Sequence, residues 1–221
     1  MRRGIFLYQL IRSIMETRKF KDIQYIVRFP KGYDAKKKYP VILFFHGAGL
    51  RGNDITPMYG NKFFEITAKY DPFDFVCVAP LCENDSWFDV FEQIKEFADF
   101  IYNEDYTDQK RFYGMGNSMG GYATWQLAMS KPELFSAIAP ICGGGMYWNV
   151  GKLKKVPVWA FHGELDLTVL PRESEILVER LNNCGGNAKL TIFKGVDHGS
   201  WIPTYETKEV FDWFLNNSKE N

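Results

Sequence analysis

Histidine, paired cysteine and any bias of charge are all scarce in this chain. Only three histidines occur, His46, His162 and His198. The four cysteines, Cys77, Cys82, Cys142 and Cys184, form no Cys-x-x-Cys pair and no metal-ligand spacing. A disulfide framework and a structural zinc site are therefore not written into the sequence. Lys+Arg and Asp+Glu balance at 27 each, which removes the electrostatic signature of a nucleic-acid binder or of a protein held on an anionic membrane. No run approaches the roughly 18–20 apolar residues that span a bilayer, and no repeat, linker or low-complexity block is present. Residues 1–12 superficially resemble a signal peptide, but Gln9 interrupts the apolar stretch, Arg12 closes it and no small-x-small cleavage site follows. An N-terminal extension over residues 1–20, helix or extra strand, is the better expectation. The sequence thus predicts a single domain over residues 1–221, cytoplasmic and without metal or cofactor.

What is present is a 221-residue chain, long enough for one sizeable core, with 17% aromatic residues. Apolar runs of strand length fall at 23–29, 41–45, 75–79, 111–115, 137–141, 158–161 and 190–193. Several are continuous rather than alternating, as in parallel strands buried on both faces. Helical patterns lie between them at 63–70, 87–102, 119–130, 172–183 and 205–216. In the second of these, Phe88, Phe91, Ile94, Phe97 or Ala98, and Ile101 recur at helical spacing. This alternation predicts an α/β protein with a mostly parallel sheet flanked by helices on both faces. Chemistry in such sheets collects beyond the carboxyl ends of the strands.

At one of those ends stands Gly116-Asn117-Ser118-Met119-Gly120, between a strand-like and a helix-like run. A Gly-x-Ser-x-Gly turn in that setting is a nucleophile elbow, with the serine hydroxyl exposed on a tight turn. Serine needs a base to take its proton, and the base needs an acid to orient it. His46 and His162 each end a strand and precede glycine, positions suited to bracing a loop. His198 follows the last strand and is the histidine that leaves room for an acid after Ser118 in the order Ser, acid, His. For the acid, the run after the strand at 158–161 offers Asp166, with Glu164 as the alternative; Asp197 is discounted because neighbouring side chains rarely face each other. Backbone donors for an oxyanion are expected from Met119, directly after the serine, and from Ala48 in the turn His46-Gly47-Ala48-Gly49, with Gly49 as fallback.

Taken with Phe44-Phe45-His46-Gly47-Ala48-Gly49, Pro140-Ile141-Cys142-Gly143-Gly144-Gly145, Trp159-Ala160-Phe161-His162-Gly163-Glu164-Leu165-Asp166 and Asp197-His198-Gly199-Ser200-Trp201, the elbow resembles small α/β-hydrolase-fold serine esterases. These are the bacterial feruloyl esterases, dienelactone-hydrolase-like enzymes and prolyl-oligopeptidase-like hydrolases. The resemblance runs from about residue 23 to the C-terminus. It implies Ser118, Asp166 and His198 as catalytic triad and Ala48 and Met119 as oxyanion hole. Leu50 stands where such enzymes commonly carry an acid. Dienelactone hydrolases proper use a cysteine nucleophile, which Ser118 speaks against.

Between Cys142 and Val156 the chain is too short for a helical cap, so an open site is expected. Trp87, Trp148 and Trp201 lie in loops at the carboxyl edge, where each could stack on a ring of the substrate. Arg51 is expected to pair with Asp54, with a substrate carboxylate as its alternative partner. The implied activity is hydrolysis of short-chain or aromatic (feruloyl- or cinnamoyl-type) carboxylic esters, with a peptidase or amidase, or a lysophospholipase or acyl-thioesterase, as alternatives; a silent binding module is the non-enzyme reading. The implied partner is a small-molecule or saccharide-linked ester, with no nucleic acid and no membrane; a homodimer stays open.

Overall fold

The computed structural model describes residues 15–219; the expectation for the first fourteen residues lies outside it. Eight strands form one sheet in the order β1-β2-β4-β3-β5-β6-β7-β8. They are β1 (Met15–Phe20), β2 (Ile23–Arg28), β3 (Tyr39–Phe45), β4 (Val76–Pro80), β5 (Thr107–Asn117), β6 (Ala137–Ile141), β7 (Val158–Gly163) and β8 (Ala188–Phe193). β1 and β2 are an antiparallel hairpin that joins β4 antiparallel; every pairing from β4 onward is parallel.

Alternation along each strand sends residues to two separate cores. Val41, Leu43 and Phe45 of β3 enter one, with Val76, Phe112 and Ile138 beside them. Ile42 and Phe44 enter the other, with Cys77, Met115 and Ala139. The first core is closed by α2 (Phe91–Tyr102), α3 (Met119–Ser130) and α4 (Arg172–Asn183), the second by α1 (Lys62–Thr67), α5 (Trp201–Glu206) and α6 (Lys208–Leu215). Because both faces of the central strands are covered, those strands read as unbroken apolar runs, as expected. The edge strands differ: β1 is mostly solvated, and β8 is at best half-buried.

Two helices depart from the sequence pattern. The helix expected over 87–102 begins only at Phe91, because Asp89 and Ser86 tie residues 86–89 into a turn, Asp89 Oδ2 accepting from the Ser86 amide and hydroxyl. The helix expected over 205–216 is two helices broken at Thr207, which adopts φ −85°, ψ 92°. α5 also starts earlier, at Trp201, and takes Pro203 into its first turn, where a missing N–H costs nothing. No helix among the described residues is long and apolar enough to cross a membrane.

Candidate active site

β5 delivers the chain to Asn117, and α3 begins at Met119, so a single residue must reverse it. That residue is Ser118, held at φ 55°, ψ −121°, a conformation that costs an L-residue about 1–3 kcal/mol. The turn is closed against β3. A Cβ on Gly116 would lie 2.7 Å from the Phe45 carbonyl oxygen, and one on Gly120 would run into the same carbonyl. The spacing of the motif is thus a packing requirement, and its product is a serine hydroxyl lifted off the end of a central strand.

His198 comes to that hydroxyl from the loop between β8 and α5. Its Nε2 lies 2.8 Å from Ser118 Oγ, and its Nδ1 lies 2.7 Å from Asp166 Oδ2. A carboxylate can only accept, so Nδ1 carries the proton and Nε2 presents a lone pair to the serine O–H. Asp166, buried on the loop after β7, has its other oxygen occupied: Oδ1 accepts from the Thr168 and Val169 amides at 2.9 Å each. Burial alone would raise this carboxyl, but the His198 bond and the two amides hold it below the usual carboxylate range. Ser118, His198 and Asp166 therefore form one hydrogen-bonded chain. Glu164 does not join it; its carboxylate accepts from the Gly195 amide at 2.9 Å and fastens the β7 loop to the end of β8.

The other two histidines are braces. His162 places Nε2 2.9 Å from the Val169 carbonyl and Nδ1 2.8 Å from Ser174 Oγ, which fixes the loop carrying Asp166. His46 Nε2 accepts from the Cys82 amide at 3.0 Å, and its Nδ1 lies 2.7 Å from the Gly47 carbonyl. Burial pushes His46 down to about 4 and lowers His162 as well, so both are neutral rings.

Ala48 opens a short 3₁₀ turn, Ala48–Leu50, and Met119 opens α3. Amides at such first positions have no acceptor within their own helix. Ala48 and Ser118 line the same cleft, of about 520 Å³, together with Leu50, Asn61, Lys62, Asn117, Thr168, His198, Trp201 and Tyr205.

The three tryptophans separate. Trp201 lines the cleft and meets the His198 ring edge-on, centroids 5.4 Å apart. Trp148 is 73% exposed, packs on Tyr147 and does not line the cleft. Trp87 corrects the expectation outright. It is fully buried, its ring set against Phe45 and His46, and its Nε1–H donates to the His46 carbonyl at 3.1 Å. The turn at 86–89 folds it under the Gly47–Gly49 loop, where it supports that loop and cannot reach a ligand. Arg51 is a second correction. It donates to the Ala48 and Asp85 carbonyls at 2.9 and 2.6 Å, while Asp54 accepts from the Thr56 amide instead.

Several cleft residues carry no motif. Asn117 is the variable residue of the elbow, and its Oδ1 accepts from the Tyr205 hydroxyl at 3.1 Å. Tyr205 lies four residues beyond Trp201, a helical spacing that would have placed both on one face had α5 been expected to start there. Asn61 and Lys62 belong to the start of α1, and their sequence has no feature that points to a cleft.

A model of the prolyl oligopeptidase family matches residues 88–149 and 145–221. Over 163 residues the chain is 28% identical to a feruloyl esterase C of Emericella nidulans and to a probable feruloyl esterase C of Aspergillus terreus, covering 69% of this chain and 58% of each relative. The chain thus spans a little over half the length of these relatives. Its fold superposes on the crystal structure of a thermostable esterase with a TM-score of 0.83 at 34% identity, over 95% of this chain and 64% of the other. An acylaminoacyl peptidase of Pyrococcus horikoshii shares the fold alone, with a TM-score of 0.70 at 17% identity, over 99% of this chain and 44% of the other. The fold is that of the α/β-hydrolases, and the chain belongs to the prolyl oligopeptidase family.

Proposed function

We propose that this chain is a serine carboxylesterase acting on short-chain or aromatic carboxylic esters, with Ser118 as nucleophile, His198 as base and Asp166 as orienting acid. The observation that carries this reading is the His198 ring, within hydrogen-bond reach of Ser118 on one side and of Asp166 on the other. Similarity to feruloyl esterases and to a thermostable esterase supports ester over amide chemistry. In the first step the serine Oγ bonds to the ester carbonyl carbon while its proton passes to His198 Nε2; the carbonyl π-electrons move to oxygen, which the Ala48 and Met119 amides receive. Collapse expels the alcohol with the proton from His198 and leaves an acyl-serine. Water attacks that acyl group with His198 again as base, releasing the acid and restoring the serine. Asp166 stays ionised throughout and stabilises the transient imidazolium. Four unpaired cysteines, three of them buried, are in keeping with a cytoplasmic location.

Fluorophosphonate labelling tests the nucleophile: the wild-type chain is labelled, and Ser118→Ala is not labelled while its circular dichroism is unchanged. Equal labelling of Ser118→Ala overturns the assignment. A panel of nitrophenyl esters, methyl ferulate and aminoacyl amides tests the substrate class. Residues between Cys142 and Val156 form only a 3₁₀ turn, Tyr147–Leu153, which cannot roof a long acyl chain. A buried CH₂ is worth about 0.8 kcal/mol, close to fourfold in efficiency, and a solvated one almost nothing. Efficiency should peak at acetyl to butyryl. A steady climb toward palmitoyl would favour the lysophospholipase or thioesterase reading, and faster cleavage of the amides would favour the peptidase.

A further inference from the structure

Beneath the His198–Asp166 pair lies a third group that the proposed chemistry does not use. Cys142 directly follows β6 at φ 38°, an uncommon conformation for a residue with a side chain, and its thiol is fully buried. Its sulfur, a carboxylate oxygen of Asp166 and a ring nitrogen of His198 all lie within 4.8 Å of one another. A fourth polar atom adjoins them. The buried Ser200 hydroxyl lies beside the Cys142 sulfur and has no other hydrogen-bond partner. Thiolate, imidazole and carboxylate are the donor set of a four-coordinate zinc site, with bonds of about 2.3 Å to sulfur and 2.0–2.2 Å to nitrogen and oxygen.

We propose that Cys142, His198 and Asp166 form an inhibitory site for a thiophilic divalent cation such as Zn²⁺. Tetrahedral coordination sets neighbouring ligand atoms roughly 3.3–3.7 Å apart. The His198–Asp166 contact must open from 2.7 Å, and the thiol must close in on the pair. The cation bonds to His198 Nδ1, to an Asp166 oxygen and to Cys142 Sγ, with Ser200 Oγ or a water as the fourth ligand. Cys142 loses its proton to solvent, since a coordinating thiol is deprotonated outright. The Nδ1 proton of His198 moves to Nε2. The imidazole then presents an N–H to Ser118 where the free protein presents a lone pair, and it can no longer accept the serine proton. The cation switches the base off by inverting its tautomer. Loss of activity rests on the esterase reading above, whereas cation binding does not.

The two are separated by measuring both in a Cys184→Ser background, which removes the exposed cysteine. Co²⁺ titrated into that protein should give a thiolate-to-cobalt charge-transfer band, and Zn²⁺ should erase it. Cys142→Ser, of similar size and checked by circular dichroism and melting temperature, should lose the band. On nitrophenyl acetate, Zn²⁺ should inhibit the Cys184→Ser protein, EDTA should reverse the inhibition, and Cys142→Ser should raise the half-inhibitory concentration at least about tenfold. Absence of the band, or equal Zn²⁺ inhibition with and without Cys142, overturns the proposal. A band in a protein that hydrolyses no ester upholds the metal site and refutes the esterase reading.

Discussion

At the scale of single residues, the sharpest prediction concerns Asp166. Its carboxylate holds the proton on the far side of the His198 ring from Ser118. An asparagine there can offer its amide N–H to Nδ1 and so favour the wrong tautomer. Asp166→Asn should therefore lower kcat by about 10⁴-fold with little change in melting temperature, as an uncoupled tautomer does in a serine triad. His162→Ala should show the opposite pattern, mainly a stability loss, because that ring holds the Asp166 loop and does not touch Ser118. A pair of steady-state and melting measurements distinguishes the two. Much at this scale was legible in the sequence. The elbow, the position of His198 after the last strand and the acidic run after β7 each sat at a strand end, where chemistry collects. Trp87 was not legible. Nothing in its loop position revealed that Asp89 and Ser86 would curl the segment and drive the indole beneath the Gly47–Gly49 turn.

At the scale of elements, the strand-turn-helix unit β5–α3 rests on two bare backbones. A methyl at Gly120 meets the Phe45 carbonyl that ends β3 and the His46 carbonyl just beyond it, backbone groups that cannot swing aside as the end of a side chain can. Gly120→Ala should destabilise by about 3 kcal/mol or more, lowering the melting temperature by roughly 6–12 °C in a chain of this size. Gly49 has nothing within 4 Å of an added Cβ, so Gly49→Ala should leave the melting temperature nearly unchanged. Equal melting of the two variants would contradict this packing account. The strands were largely readable because their burial on both faces leaves unbroken apolar runs. The helix ends were not, since α2 is delayed by a side-chain turn and the last helix is split at Thr207, and local hydrogen bonds of that kind leave little trace in hydrophobic periodicity.

At the scale of the whole molecule, buried neutral histidines make stability depend on pH. Burial sets His46 at about 4 in the folded chain, against about 6.5 unfolded. Between those values the unfolded chain binds the extra proton, so acid favours unfolding. The contribution is complete above about pH 6.5 and is lost as pH falls toward 4, at most roughly 3 kcal/mol. His162 is lowered by the same cause and adds in the same direction. Denaturant titrations at a series of pH values check this. His46→Gln should be less stable at pH 8 yet lose less on acidification to pH 4.5, and an unaltered acid slope would remove His46 as its source.

The placement of β8 bears on how this molecule would wear out. Ser118 rides a central strand whose end is buried, whereas His198 is carried just past the outermost strand, whose residues are at best half-buried. Regions of thin burial open first, long before the global transition. The working lifetime of the site is then set by fraying at one margin of the sheet, with the core beneath still intact. Amides of residues 188–198 should exchange with deuterium faster than those of residues 112–118. On warming, loss of fluorophosphonate reactivity should precede loss of helical circular dichroism and should recover on prompt cooling. Coincident loss of both signals would mean that the margin and the centre come apart together.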